Sequence, residues 1–233
     1  MWASVRDAVA ILVGGNLGEI AFTLLAGLVE GSSPLSARQL LLVNLLTDVA
    51  PAMAIVLRPP KASVLTALAE EGPERSLAEP LNRDITARAA VTAAGAGAAW
   101  AIARLTSGRE RASTVGLLAL VGTQLGQTIR SGGLSRPVLA TSVLSTLALA
   151  AIVQTPGLSH FFGCRPLGPV GWSTAAGASV LATSLSPSLP RVAERIVWRV
   201  GDASAPLVTA VRALRPALEA WPELAAAAED PDL

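Results

Sequence analysis

Gln39-Leu40-Leu41-Leu42-Val43-Asn44-Leu45-Leu46-Thr47-Asp48-Val49-Ala50-Pro51-Ala52-Met53-Ala54-Ile55-Val56-Leu57-Arg58-Pro59-Pro60 is apolar over a length that crosses a bilayer, yet it carries an asparagine, a threonine, an aspartate and a proline in its middle. Asn44, Thr47 and Asp48 stand at i, i+3 and i+4, so a helix turns their oxygens to one side. That side is not lipid: an ionised aspartate near the bilayer centre costs at least about 2.5 kcal/mol, and such residues face a bundle interior or a cavity. Pro51 lacks an N–H, which in an α-helix leaves the carbonyl of Thr47 without its partner, and a freed carbonyl beside side-chain oxygens suits a hard cation.

The rest of the chain has the composition this stretch requires. Hydrophobic residues make up 52% of 233 and charged residues 15%, with a mean hydropathy of +0.53, more apolar than an ordinary water-soluble domain. The net charge is +1, and the basic residues, nearly all Arg, lie between apolar runs rather than on one patch, which argues against nucleic acid as a partner. Cys164 is the single cysteine, which excludes an intrachain disulfide and a cysteine-based metal cluster.

The first apolar run covers residues 5–29. It is too long for the apolar region of a signal peptide, about 7–15 residues, and it contains Glu19. Asn16 and Glu19 share a face, and Gly14 and Gly18 form a small-xxx-small pattern that permits close helix approach. After a short polar connection, Ser36 and Gln39 have the spacing of a capping box and start the Asn44–Asp48 helix. The first two runs are therefore expected to form an antiparallel hairpin in which Glu19 and Asp48, both near mid-membrane, can meet.

Residues 59–84 are polar and are expected to be a cytoplasmic loop with at most a short helix. Four more apolar runs follow at about 85–105, 114–129, 137–155 and 170–189. The second of these carries Gln124 and Gln127 beside Gly122 and Gly126; interhelical hydrogen bonding and cation binding are the two readings of those glutamines. The third contains nothing ionisable. Between the last two runs, His160 and Cys164 are too sparse for a metal site, and Phe161, Phe162 and Trp172 read as a membrane boundary in an interfacial loop. Residues beyond 190 alternate apolar and charged at helical spacing, as a helix on the inner membrane surface with Trp198 at headgroup level would.

The expected fold is all-α, a polytopic six-transmembrane-helix bundle. Its expected divisions are a hairpin at 1–58, a cytoplasmic loop at 59–84, a four-helix support at 85–190 and a cytoplasmic amphipathic tail at 191–233. With the N-terminus inside, six crossings put Arg38, Arg104, Arg109, Arg111 and Arg165 outside and the remainder of the 18 basic residues inside, so both termini are expected in the cytoplasm.

Asn16-Leu17-Gly18-Glu19, followed by Asn44-Leu45-Leu46-Thr47-Asp48-x-x-Pro51-Ala52 and Arg58-Pro59-Pro60, resembles the fifth and sixth transmembrane helices of P-type cation-transporting ATPases, closest to the calcium-pump-like and bacterial metal-cation branch. The resemblance extends over roughly residues 1–190, helices five to ten of such pumps. It implies that Asn16 and Glu19 from the fifth helix and Asn44, Thr47 and Asp48 from the sixth are ligands of the transported cation, with Gln124 or Gln127 available where the eighth helix often adds a carboxylate. All are oxygen donors, suited to a divalent Ca, Mg or Mn-like ion, with no soft ligand for copper or zinc. Calcium-pump-like members commonly have glycine after the aspartate, where the helix unwinds; this chain has Val49 there and keeps Pro51.

The Asp-Lys-Thr-Gly phosphorylation motif, the Thr-Gly-Glu motif and a nucleotide-binding domain are absent from the sequence, which therefore has no ATP site. The expected function is the C-terminal transport domain of a P-type pump, integral to a bacterial plasma membrane, unable to pump alone and partnered by lipid, cation and the missing catalytic portion. The start almost at the fifth helix suggests a fragment, a split gene product or an internal start. The alternatives are an orphan six-helix module that associates with or regulates a pump, and a passive channel or carrier. Glu19 and Asp48 also have a purely structural reading, in which they pair with Asn16 and Asn44, or are protonated, and hold the bundle together without an ion.

Overall fold

The computed structural model describes residues 2–49, 54, 79–132 and 135–186, all within one compact unit, Met1–Pro190. The expectations for Pro51, the Arg58-Pro59-Pro60 end, most of the 59–84 loop and the 191–233 tail fall outside the described residues. The described chain is all-helical: α1 Trp2–Glu30, α2 Ala37–Asn44 running into a π-helical turn Leu45–Val49, α3 Glu79–Ser107, α4 Arg109–Gly132, α5 Arg136–Gln154, α6 Pro156–Phe162 and α7 Pro169–Leu185.

Three described segments are long and apolar enough to cross a membrane: Arg6–Glu30 in α1, Leu81–Ser107 in α3 and Arg136–Gln154 in α5. Their outer faces are as apolar as the core. On α1, Val13, Leu17, Ile20, Leu24 and Leu28 are exposed at helical spacing, while Ala8, Ile11, Phe22 and Ala26 are buried on the other side. A water-soluble protein seldom exposes such a stripe; lipid solvates it, and the protein is integral to the membrane.

α4 occupies the middle of the bundle. It packs against α1, α2, α3, α5 and α7, and Thr114–Val121 is buried without interruption. Facing protein rather than lipid, it can carry Thr123, Gln124, Gln127 and Thr128, which explains why it is less apolar than its neighbours. Glycines set its approach to α7: a side-chain carbon added at Gly122 would lie 2.6 Å from the Ser179 hydroxyl, and one at Gly126 would lie 2.7 Å from the Thr183 hydroxyl.

The helices turn at two ends. At one, the capping box is formed in full: the Ser36 N–H donates to Gln39 Oε1 at 2.8 Å and Ser36 Oγ accepts from the Gln39 N–H at 3.3 Å. Gly31 (φ 73°) and Gly108 (φ 83°) stop α1 and α3 in the left-handed conformation that glycine adopts without strain. Glu30, its side chain only 7% exposed, is held there by Arg109 at 2.5 Å and Arg104 at 3.4 Å. At the other end, Arg6 pairs with Asp84 at 2.8 Å and Arg88 hydrogen-bonds Ser131. Asp84 therefore belongs to α3, which begins six residues before the apolar run it contains.

The 154–169 connection holds a helix rather than an unbroken loop. Pro156 opens α6 at a position where its missing N–H costs nothing, and a Schellman closure ends it, with the Cys164 N–H on the Ser159 carbonyl at 2.7 Å. Arg38 lies over the ring of Phe161, 4.8 Å from its centre, and donates to the Phe161 carbonyl at 2.8 Å, so the boundary aromatics also tie α6 to α2. Cys164 is buried against Gln39, whose Nε2 lies 3.6 Å from Sγ. Burial pushes the thiol up, and the Gln39 contact opposes this only in part. Maleimide labelling of the folded chain at neutral pH should accordingly be at least about a hundredfold slower than in SDS; equal rates would show that the α2–α6 contact opens freely.

Candidate cation site

The fold brings Asn16 and Glu19 of α1 next to Asp48 of the turn that follows α2. Asn16 and Glu19 lie one turn apart on α1, Asn44 ends α2, and Thr47 and Asp48 sit in the π turn that follows. The Asn16 side chain hydrogen-bonds the Asp48 carboxylate, and Glu19 and Asp48 are close enough for their charges to interact. Thr47, 2% exposed, has its hydroxyl 2.9 Å from the Val43 carbonyl and 3.2 Å from Asp48 Oδ1, so its single proton goes to one or the other.

Two oxygens of this group have no donor. Glu19 Oε2 and Asn44 Oδ1 are both buried with no hydrogen-bond partner among the described residues. Buried side-chain oxygens normally find a partner, and one of these two belongs to a carboxylate that neighbours another, so both require an explanation. Among the described residues no three His, Cys, Asp or Glu side chains come together, so the set consists of two carboxylates and the neutral oxygens of Asn16, Asn44 and Thr47.

Gln124 and Gln127 separate. Gln124, 6% exposed, lies over Gly15 and donates to its carbonyl at 3.3 Å, next to Asn16 in sequence. Gln127 turns to α3, donating to Thr92 Oγ1 at 3.0 Å and toward the Arg88 carbonyl at 3.4 Å. Both amides make interhelical hydrogen bonds, and only Gln124 abuts the stretch that carries Asn16.

The π turn was not legible in the sequence, whose Asn44, Thr47 and Asp48 spacing reads as an α-helix. A further partner was missed: Ser145 of α5 donates to the Leu46 carbonyl at 2.7 Å. The signal was present as Ser142 and Ser145, one turn apart and both buried, beside Thr141 and Thr146 in a mostly apolar run.

Residues 32–186 match the family described as "Cation transporting ATPase, C-terminus". The chain is 46% identical over 215 residues to "Probable cation-transporting ATPase I" of Mycobacterium leprae (strain TN), covering 82% of this chain and 13% of that protein. It is 49% identical over 210 residues to the protein of the same name in Mycobacterium tuberculosis (strain CDC 1551 / Oshkosh), again 82% of this chain and 13% of the relative. "Calcium-transporting ATPase" of Bacillus subtilis (strain 168) is 26% identical over 197 residues, 79% of this chain and 22% of its own length. This chain thus spans only a small part of the relatives it matches, and with the family match it belongs to the P-type cation-transporting ATPases and carries their C-terminal domain.

Proposed function

We propose that residues 1–58 supply the oxygen ligands of a translocated hard divalent cation, through Asn16, Glu19, Asn44, Thr47 and Asp48, with Gln124 bordering the site and Gln127 joining α4 to α3. The observation that carries this reading is the meeting of Glu19 and Asp48, with one Glu19 oxygen buried and without a donor, as is the side-chain oxygen of Asn44 at the end of α2. A divalent cation offsets the repulsion between the carboxylates and gives both orphan oxygens a partner, which a structural pairing with Asn16 alone does not do.

The remaining helices support that hairpin. The proposed arrangement has six crossings, formed by α1, α2 with the residues that follow it, α3, α4, α5 and α7, with 59–84 and the 191–233 tail on the cytoplasmic side of a bacterial plasma membrane. The sequence holds no aspartate in an Asp-Lys-Thr-Gly setting, so ATP-driven transport would require catalytic domains from the same longer chain or from a separate polypeptide. The ion class is proposed from the donor set, all oxygen and with two carboxylates, which favours Ca, Mg or Mn over softer metals.

Equilibrium binding of Ca, Mg and Mn ions to the 233-residue chain in lipid nanodiscs tests this directly. At least one of the three should bind saturably, and zinc should not compete at equal concentration. A chain that is folded by circular dichroism yet binds none of them would overturn the proposal.

A further inference from the structure

A π turn shifts each carbonyl's partner by one residue. The Leu46 carbonyl lies within the π turn Leu45–Val49, two residues before Asp48, in a residue only 8% exposed, where an unpaired carbonyl is costly.

A donor for it comes from a distant helix. Ser145 of α5, itself buried, places its hydroxyl 2.7 Å from the Leu46 carbonyl oxygen. Its own helix does not claim that proton, unlike the hydroxyls of Thr141 and Thr146, which bond back to carbonyls of α5. Leu46 immediately precedes Thr47 and Asp48, so whatever fixes its carbonyl fixes the orientation of the next two residues.

We propose that Ser145 is a positioning residue of the cation site: by donating to the Leu46 carbonyl it holds the π turn that keeps Asp48 against Asn16 and Glu19. This rests on the cation-site reading above. An α register through the same residues carries Asp48 to a different side of the helix, away from its Asn16 hydrogen bond. α5 thus acts on the site without supplying a ligand. Ser142, one turn earlier and 2% exposed, has no partner for its hydroxyl among the described residues, which makes it the matched control.

The test uses the full chain in nanodiscs, titrated with Mn ions and followed by electron paramagnetic resonance. Ser145→Ala should weaken Mn binding about tenfold, the worth of one buried hydrogen bond, while Ser145→Thr, which keeps the hydroxyl, should stay within about threefold of the unmodified chain. Ser142→Ala should leave binding unchanged, and all three should melt within a few degrees of the parent. Where Ser145→Ala fails to fold, Ser145→Cys, whose thiol is a weaker donor, takes its place with the same expectation. If the unmodified chain binds Mn and Ser145→Ala binds it equally well, the positioning role is overturned and the cation site stands. If the folded unmodified chain binds neither Mn nor, in the same nanodiscs, Ca or Mg, both fall together; where Ca or Mg binds and Mn does not, the same comparison of variants is read with that ion.

Discussion

Asp48→Asn, introduced into an intact pump containing this membrane domain, is expected to abolish cation-dependent phosphorylation by ATP while leaving the protein inserted and folded. The substitution is nearly isosteric and keeps one acceptor oxygen for the Asn16 and Thr47 hydrogen bonds, so what it removes is charge. A unit charge about 4 Å from another is worth roughly 4 kcal/mol at an effective dielectric near 20, and a divalent cation doubles the stake. Affinity should accordingly fall by roughly a hundredfold or more. Glu19→Gln should act in the same direction, because Glu19 is the other carboxylate and one of its oxygens has no protein donor. Phosphorylation assayed over a range of cation concentrations decides the matter. Unchanged cation dependence in either variant removes that residue from the ligand set, and loss of folding in both restores the reading in which the two carboxylates only hold helices together.

The parts of this protein that were legible in the sequence are those where polarity stands out against an apolar background. Asn16, Glu19, Asn44, Thr47 and Asp48 are conspicuous because a bilayer tolerates such groups only with a reason, and Asn16, Glu19 and Asp48 do come close in the fold, although a π turn replaces the α-helical spacing read for Asn44, Thr47 and Asp48. The Ser36–Gln39 capping box was equally readable, since its geometry is local. What could not be read depends on partners far away in the chain. α6 hides in a Pro/Gly-rich connection because a seven-residue helix has no periodicity to show. The role of Ser145 is invisible without its neighbour 99 residues earlier, and a serine in an apolar run looks like any other small residue. The central position of α4 was obscured for a related reason: hydropathy measures fitness for lipid, and this helix meets protein on all sides.

Close packing of α1 on α3 is where a single added methyl group should do the most structural damage. These helices run side by side along most of their length, and two glycines let them approach. A side-chain carbon at Gly18 would lie 2.5 Å from Thr92 Cβ and 2.9 Å from the Ala89 carbonyl oxygen; one at Gly14 would lie 2.8 Å from Arg88 Cβ and 3.0 Å from the Ile85 carbonyl oxygen. The obstacles are backbone and Cβ atoms rather than flexible tips, so relief requires the helices to part. Overpacking of this kind costs about 1–3 kcal/mol per site, and Gly14→Ala with Gly18→Ala on the same ridge should approach the sum. Thr92 also accepts from Gln127 of α4 at 3.0 Å, so relief at Gly18 that moves Thr92 strains that hydrogen bond as well. Gly97→Ala provides the contrast: an added carbon there meets nothing within 4 Å, and alanine in a helix interior is favoured over glycine by about 1 kcal/mol. Thermal unfolding in detergent should therefore show a sharply lowered midpoint for Gly14→Ala/Gly18→Ala and an unchanged or raised one for Gly97→Ala. Coincident melting of the two would mean that the α1–α3 contact is loose enough to absorb a methyl group. In that case α3 would not be holding Asn16 and Glu19 in place opposite the π turn.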